Sequence, residues 1–483
     1  METRDIFWNI SPLDHRYSLS EKDVFGALAP WLSEAGSLDA CVKAEIALVE
    51  THLKIRGKDS PGGKWAENIS VTAEEVYAEE EKTHHHIRAL VNVLKKKVPA
   101  EIAPLVHLGA TSADILDTSL ACRMKGCCSE AVLPALRKLE TLLCDITERE
   151  AETAQVGRTH GQHALPITFG FAFAEYVSRL GKSILEIERL AAQLKGKLSG
   201  AVGAYNATSM LVDDPEEFER LYLAMLGLAP SEYSNQLAEP EYLLRLLLEY
   251  NTAFGIIANL ADDLRNLQRT EIAELRESFT ADQVGSSTMP QKRNPWNSEH
   301  IKSLWKTFMP RVITFYMDQI SEHQRDLSNS ASQRFIADYI TGFCLAISRM
   351  TQVIAGIAAD KEKCLTNLNS GGGIPGAVLA EPAYILLAES GVSDAHEIIR
   401  KLTLAAEKKG ISFGDALALE KELLLRIGGQ LVKLDPGAGG AGPAATTEAA
   451  GAAAAFFAKP ENYTGLAAKK AKELALKYRK LMK

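Results

Sequence analysis

Residues 281–299 read Ala-Asp-Gln-Val-Gly-Ser-Ser-Thr-Met-Pro-Gln-Lys-Arg-Asn-Pro-Trp-Asn-Ser-Glu. Glycine admits backbone conformations that other residues avoid, and each proline fixes φ and removes a backbone donor. Because Gly285, Pro290 and Pro295 interrupt this stretch and helical patterns flank it, we predict a shaped loop. The loop carries hydroxyl, cationic and amide side chains, which suit a site that grips an anion while a proton moves.

The rest of the chain has a helical pattern. Apolar residues recur at spacings of three and four in 131–152, 168–198, 241–276 and 300–320, which is typical of amphipathic helices. Long helices with apolar stripes on more than one side pack into bundles, often between subunits. Convincing alternating strand patterns are scarce, so the predicted fold class is all-α.

The length of 483 residues predicts two or three domains. We divide the chain into an N-terminal helical domain (1–112), a central long-helix bundle (113–365) and a C-terminal helical domain (366–483). The low-complexity segment 435–458 is predicted to be a flexible surface loop, with a helix as the alternative for Thr447–Phe457.

The bulk composition excludes several classes of protein. The formal net charge of −8 argues against a general nucleic-acid surface. The seven cysteines have neither zinc-like spacing nor a disulfide framework, which is typical of reduced thiols in the cytoplasm. The charged N-terminus lacks the apolar core of a secretion signal, and no apolar run reaches ~18 residues. We therefore expect a cytoplasmic protein that binds neither membrane nor nucleic acid.

Two polar segments precede predicted helices. In Gly157-Arg158-Thr159-His160-Gly161-Gln162-His163, a histidine could transfer a proton or simply form hydrogen bonds at the start of a helix near Pro166. Thr111 and Ser112 lie where a helix N-terminus offers N–H groups to a carboxylate, and Asp114 could be a helix cap. Both pairs of roles remain open from the residues alone.

Two further clusters contain histidine and arginine. His84, His85 and His86 are consecutive, so on a helix they would diverge by about 100° and could not converge on one metal ion; a solvated polar face is the alternative. Arg325 and Arg334 combine planar forks with the Ser330 hydroxyl, which suits phosphate, although a salt-bridged helix end would have the same composition.

The run from Gly285 to Pro295 resembles the signature Gly-Ser-Ser-x-Met-Pro-x-Lys-x-Asn-Pro of the fumarase/aspartase superfamily. Within it, the chain resembles the adenylosuccinate lyase family. The segment from Ser11 to Tyr17 is similar to that family's Ser-Pro-Leu-x-x-Arg-Tyr, and Thr83–His86 is similar to its Thr-Arg-His-Asp. Arg325-Asp326-Leu327-Ser328-Asn329-Ser330 with Arg334 is similar to its Arg-Asp-Leu-x-x-Ser…Arg.

This resemblance implies a three-domain all-α fold whose long central bundle is shared in a homotetramer, with each active site built from three subunits. It implies cleavage of adenylosuccinate to AMP and fumarate in purine nucleotide biosynthesis. It also implies cleavage of the succinylcarboxamide ribotide to the carboxamide ribotide, which lacks the succinyl group, and fumarate. No metal or organic cofactor is implied.

The resemblance also assigns residue roles. Ser286 is the expected base, with Ser287 as the alternative, and His160, beside Thr159, is the expected acid. Lys292 and Asn294, with Thr111 and Ser112, are expected to hold the carboxylates and the anionic intermediate. His85, which with Lys292 is counted among the expected catalytic residues, is expected near the phosphate and purine of the substrate. The remaining expected substrate contacts are to the nucleotide (Arg16, Tyr17), to phosphate and ribose (Arg325, Ser330, Arg334), to the succinyl group (Gln236) and, without a more specific role, from His84 and His86.

Some residues depart from the family pattern. His84 and His86 replace Arg and Asp, and Pro240-Glu241 replaces an Arg-Asp pair. Gln291 before Lys292 is similar to argininosuccinate lyase. These departures bear on substrate preference, so argininosuccinate lyase and a carboxymuconate-type cycloisomerase remain alternatives. A non-catalytic scaffold is a third, opposed by the presence of Ser286, Lys292, Asn294 and His160.

Overall fold

Helices make up most of the chain in the computed structural model, which describes residues 5–58, 65–278, 288–434 and 443–482. The predicted all-α class is confirmed. The α-helices are Arg16–Ser20 (α1), Lys22–Leu32 (α2), Glu34–Ile55 (α3), Ala73–Thr83 (α4), His86–Lys95 (α5), Ser112–Cys127 (α6), Leu133–Arg149 (α7), Phe169–Ala192 (α8), Pro215–Met225 (α9), Glu241–Leu267 (α10), Trp296–Phe308 (α11), Arg311–Met317 (α12), Ile336–Gly356 (α13), Lys361–Ser370 (α14), Ala380–Glu389 (α15), Ala395–Lys409 (α16), Phe413–Leu419 (α17), Lys421–Leu434 (α18), Pro443–Phe457 (α19) and Ala467–Leu481 (α20).

Short strands accompany the helices. They are Ala154–Thr159 (β1), Gln162–Thr168 (β2), Lys195–Gly196 (β3), Ala229–Pro230 (β4), Leu275–Arg276 (β5) and Ala358–Ala359 (β6). Strands β1 and β2 form an antiparallel hairpin with an irregularity between Val156 and Arg158. The pair β3–β4 is parallel and β5–β6 is antiparallel.

The helices predicted from periodicity are present, but their ends differ. A π-helical turn, Cys128–Val132, precedes α7, and α8 and α10 end before the predicted limits of 198 and 276. The segment 300–320 belongs to two helices rather than one. Proline lacks a backbone donor, which explains why α11 ends before Pro310 and α12 begins after it.

The chain divides into two compact units. The first comprises 1–139, 182–259 and 300–350, and the second comprises 140–181, 260–299 and 351–483. In the first unit α3 packs on α6 and α9, and α4 packs on α5. Its buried side chains include Leu48, Leu90, Phe218 and Tyr222. The predicted three domains are consecutive stretches of sequence, whereas each of these units combines separate stretches. The three-domain division therefore stays a prediction.

The second unit has a core of α14 to α19 side chains, among them Leu368, Leu387, Phe413 and Phe457. The prediction of a surface loop is wrong for Pro443–Phe457, which is α19 and packs against α18, and the helix given as the alternative for Thr447–Phe457 is confirmed. A Cβ at Gly428 would lie 1.9 Å from the Ala449 carbonyl oxygen, so glycine is what allows this close approach. Residues 435–442 lie outside the described residues.

Within the described residues, no single helix is long and apolar enough to cross a membrane. Lys361–Gly373 and Ala377–Glu389 pass that test only as a pair bent by 77°.

Glu140, on α7 in the second unit, is a buried carboxyl group. Both of its side-chain oxygens are buried, and neither has a hydrogen-bond partner among the described residues. Burial raises the pKa of Glu140 to about 9, because water no longer stabilises the charged form. The folded protein therefore holds a proton here at neutral pH that the unfolded chain has released.

This proton predicts a pH dependence of stability. Between the unfolded pKa of roughly 4.3 and the folded pKa, the free energy of unfolding should fall as pH rises, by on the order of 1.4 kcal/mol per pH unit from this group. We expect Glu140→Gln, which keeps the shape without an ionisable proton, to remove this slope. Urea denaturation at pH 6 and pH 8, at one protein concentration, measures it. An equal slope in both proteins would contradict the assignment.

Candidate active site

His160 lies at the tip of the hairpin formed by β1 and β2. Thr159 pairs with Gln162, so the turn contains only His160 and Gly161. Both have positive φ, 53° and 74°, which is the pattern of a two-residue type I′ turn. The long helix predicted near Pro166 begins at Phe169, but His160 does not lie at its start, because 162–168 is a strand and a hairpin turn presents the imidazole. Thr159 and His160 are exposed.

A buried carboxylate anchors this hairpin. Arg158 donates from both terminal nitrogens to Glu274, at 2.6 and 3.1 Å. Glu274 is fully buried and also accepts hydrogen bonds from Gln155 and Asn367, at 2.7 and 2.9 Å. The charge is thus satisfied on all sides, and the strand leading to His160 is held by a bidentate pair.

The described part of the signature loop, from Thr288, leads into α11. Lys292 is exposed and its backbone N–H donates to the Met289 carbonyl at 3.0 Å; Asn294 is half-buried. Glu277 accepts from the backbone N–H and hydroxyl of Ser298, at 3.0 and 2.6 Å, so a carboxylate stabilises the start of α11. Ser286 and Ser287 lie outside the described residues.

Thr111 and Ser112 lie at the start of α6, in the first unit. Thr111 is the N-cap residue, and its backbone N–H donates to Asp114 at 2.7 Å, so the capping role predicted for Asp114 is present. The Lys197 ammonium group contacts Asp114, and both side chains are buried. Lys197 also donates to the Gly200 carbonyl at 3.2 Å, and the Gly200 N–H donates to Asp114 at 3.2 Å.

The segment around Gln236 is tied to the same region. The hydroxyls of Ser199 and Ser234 are 2.7 Å apart, and the Ala238 N–H donates to Asp117 at 2.7 Å. Gln236 is half-buried, and its backbone N–H donates to the Gln324 carbonyl at 3.2 Å. The elements that carry Thr111, Gln236 and Arg325 are therefore linked within one unit.

A cleft of about 990 Å³ opens in the first unit. It brings together five of the predicted residues: His84, His86, Arg325, Ser330 and Arg334. One wall is a face of α4 and its C-terminal end, where Tyr77, Glu80, Glu81 and His84 recur at helical spacing. Another is a face of α6, where Leu116, Asp117, Leu120, Arg123 and Met124 recur in the same way.

The three histidines do not lie within one helix. Thr83 ends α4, His84 has a left-handed backbone (φ 51°), and His85 is the N-cap of α5. The His85 Nδ1 accepts the Arg88 N–H at 3.2 Å, whereas His86 begins α5. Among the described residues the cleft lining includes His84 and His86 but not His85.

Arg16 and Tyr17 lie on α1, also in the first unit. The Tyr17 hydroxyl is 3.0 Å from His300 Nε2, and the two rings are tilted at a centroid distance of 5.8 Å. Burial lowers the pKa of His300, and the positive charges of Arg349 and Arg16 lower it further. Neither Arg16 nor Tyr17 is among the described residues that line the cleft.

Asp117 is a cleft residue that the sequence interpretation missed. Burial raises the pKa of its carboxyl group, although Arg325 and Lys197 oppose this effect. Tyr77, Glu80 and Asp117 were all missed, although each is separated by three, four or seven positions from a motif residue, either His84 or Asp114. These are the spacings of residues on one face of a helix. Thr159, His160, Lys292 and Asn294 belong to the second unit. In the described ranges no group of three or more His, Cys, Asp or Glu side chains could hold a metal ion.

Comparison with known proteins identifies the family to which the chain belongs. A family model described as lyase matches residues 40–307, and one described as adenylosuccinate lyase C-terminal matches 321–433. In fold, the chain is similar to a fumarate lyase from Mesorhizobium sp. BNC1, with a TM-score of 0.76 at 18% identity, covering 93% of this chain and 97% of that one. It is equally similar to the 3-carboxy-cis,cis-muconate lactonizing enzyme of Pseudomonas putida, with a TM-score of 0.76 at 22% identity, covering 95% and 98%.

Fold and matched region define a lyase of the fumarase/aspartase superfamily. The chain is 33% identical to an adenylosuccinate lyase of Pyrococcus abyssi, over 83% of this chain and 88% of that protein. It is also 33% identical to the one of Pyrococcus horikoshii, over 86% and 90%. The chain therefore belongs to the adenylosuccinate lyase family.

The buried pair of Lys197 and Asp114 predicts a large effect of mutation. Lys197→Met should lower the free energy of unfolding by roughly 3–5 kcal/mol, because it leaves the Asp114 carboxylate buried and uncompensated. The matched control is Lys43→Met, whose partner Asp39 is exposed, and which should cost less than about 1 kcal/mol. Urea denaturation followed by circular dichroism compares them. Equal small losses would refute the proposed importance of the buried pair.

Proposed function

We propose that the protein is an adenylosuccinate lyase that cleaves adenylosuccinate to AMP and fumarate. The observation that carries this proposal is the cleft of the first unit. Its lining includes Arg325, Ser330 and Arg334 together with two histidines, His84 and His86. Two guanidinium groups with a hydroxyl suit a phosphate dianion. The names of the relatives from the two Pyrococcus species support the same activity.

The reaction is a β-elimination. A base removes a proton from the carbon next to a carboxylate, which creates a doubly charged aci-carboxylate. The C–N bond then breaks, its electron pair goes to the purine nitrogen, and an acid protonates that nitrogen. The dianion is accessible only where fixed donors surround it. We assign Lys292, Asn294, Thr111 and Ser112 to that task, and Gln236 to the succinyl region.

Ser286 is the proposed base, with Ser287 as the alternative. A serine hydroxyl is a poor base at its ordinary pKa, so nearby cations and N–H groups must favour its deprotonated form. His160 is the proposed acid, with Thr159 beside it. Its exposure at the tip of an anchored hairpin supports this role, because the ring can meet a ligand while the strand behind it stays fixed by Glu274.

His85, Arg16 and Tyr17 are assigned to the nucleotide. We further propose that the protein acts in purine nucleotide biosynthesis, that it also cleaves the succinylated carboxamide ribotide, and that it is a cytoplasmic homotetramer of three-domain subunits. Each active site would then combine segments of three subunits, including His85, His160 and Ser286 from different ones. Light scattering after size exclusion tests the assembly: a monomer or dimer that retained full activity would refute the shared site.

The alternatives are less well supported. The cycloisomerases resemble this chain only in fold, at 20–22% identity, and argininosuccinate has no phosphate for the arginine-lined cleft. An ultraviolet assay decides between them. We expect loss of adenylosuccinate with stoichiometric fumarate, and no turnover of argininosuccinate or 3-carboxymuconate. A folded enzyme that left adenylosuccinate untouched would defeat the proposal.

Mutations test the catalytic roles. Ser286→Ala and His160→Gln should each reduce kcat by ~10²-fold or more, because each removes a proton-transfer group. Ser287→Ala is the matched control and should retain most activity. Circular dichroism and light scattering verify that each variant is folded. If Ser287→Ala were inactive and Ser286→Ala active, the two serines would exchange roles; near-normal turnover of His160→Gln would eliminate it as the acid.

A further inference from the structure

One contact in the cleft is not used by the proposed function: it joins Glu80, near the end of α4, to His86, at the start of α5. The Nδ1 atom of His86 is 3.2 Å from Glu80 Oε2. A carboxylate can only accept, so Nδ1 is the donor and carries a proton. Both side chains are about one-third exposed, 32% for His86 and 33% for Glu80, and both line the cleft.

The His86 ring is fixed from a second side. Tyr77 meets it edge-on, with ring centroids 6.4 Å apart and planes at 73°. The Tyr77 hydroxyl in turn donates to Glu34 at 3.1 Å. These contacts leave Nε2 as the atom of His86 that is open to a ligand; within the described ranges it has no hydrogen-bond partner.

Two features of the cleft favour an anion near that atom, although Glu34, Glu80, Glu81 and Asp117 also line it. His86 is the first residue of α5, a helix of ten residues, and its N-terminus carries a partial positive charge. Arg334 lines the same cleft and acts on Tyr77: burial raises the pKa of Tyr77, and the Arg334 charge opposes that effect. His86 and Arg334 line the same cleft, and a histidine that carries protons on both ring nitrogens can donate from Nε2 to a phosphate oxygen.

We propose that Glu80 and His86 form an imidazole–carboxylate pair that recognises the phosphate of the nucleotide. His86 donates from Nε2 to phosphate, and Glu80 is a positioning residue that fixes the ring through its contact with Nδ1. This inference rests on the proposed nucleotide substrate. It assigns a contact to His86 at a position where the resembling family has an acidic residue, which would repel the same phosphate.

Binding of AMP and of adenosine by calorimetry, with the full-length protein, tests the proposal without depending on turnover. Glu80→Ala and His86→Ala should each weaken AMP binding about tenfold, the lower end of the effect of a charge-assisted hydrogen bond, and leave adenosine binding unchanged. Because the two residues act as a unit, the double variant should lose no more than either single variant. Glu80→Gln, which keeps an acceptor but no charge, should fall between wild type and Glu80→Ala.

The control is Glu81→Gln, on the same helix and in the same cleft. Glu81→Gln removes a negative charge from the cleft and should leave AMP binding unchanged or slightly tighter. If Glu80 acted only as a negative charge near phosphate, Glu80→Ala would likewise tighten AMP binding. A tighter AMP complex in Glu80→Ala, or equal losses for AMP and adenosine, would overturn the proposal. If wild-type protein bound AMP in this manner but did not cleave adenylosuccinate, the lyase assignment would fail and the phosphate contact would stand.

Discussion

The ion pair of Asp114 and Lys197 is the constraint on which the arrangement of the first unit depends. Removing either charge from water costs several kcal/mol, so each is tolerable only while the other is present and the remaining polar atoms are bonded. Here the backbone supplies those bonds, through Thr111 and Gly200. The pair thereby fixes the start of α6 and the loop after β3 to each other. Donors held in this way need little reorganisation when a negative charge develops.

A similar construction recurs at three other candidate site segments. A functional side chain that is exposed or half-buried lies a few residues from a buried or well-bonded acidic anchor. His160 follows Arg158, which is held by Glu274, and Asn294 precedes the helix start held by Glu277. In the segment of Arg325, Asp326 accepts hydrogen bonds from Ser328 and Glu322, and these bonds lower its pKa. Accessibility and fixed geometry are thus supplied by different residues.

Local patterns predicted much of this architecture. Helical periodicity identified the long helices, and motif composition selected five residues that share one cleft. The hairpin at His160 was not predicted because its turn has His-Gly instead of the commoner Asn-Gly, and its strands do not alternate. Pairings such as Arg158 with Glu274 join residues 116 positions apart, which no local pattern reveals. The roles of Ser286 and Ser287 stay predictions.

Residues that face a site from one side of a helix were also missed, because motifs were sought as continuous strings. Tyr77 and Glu80 lie seven and four positions before His84, and Asp117 lies three positions after Asp114. These spacings place them on the same helix face as the motif residue, which a search along the string does not reveal. These residues show that the lining of this cleft extends beyond the segments that define the superfamily.

The π-helical turn at Cys128–Val132 restricts how this sequence can drift. Such a turn contains one residue more than the same length of α-helix. That extra residue rotates the side chains of the following helix by about 100° around the helix axis. Loss of one codon there would produce a regular helix, yet would swing Leu136 and Leu139 out of the interior and carry polar neighbours inward. Lineages of this protein should therefore accept substitutions in the turn far more readily than a change in its length.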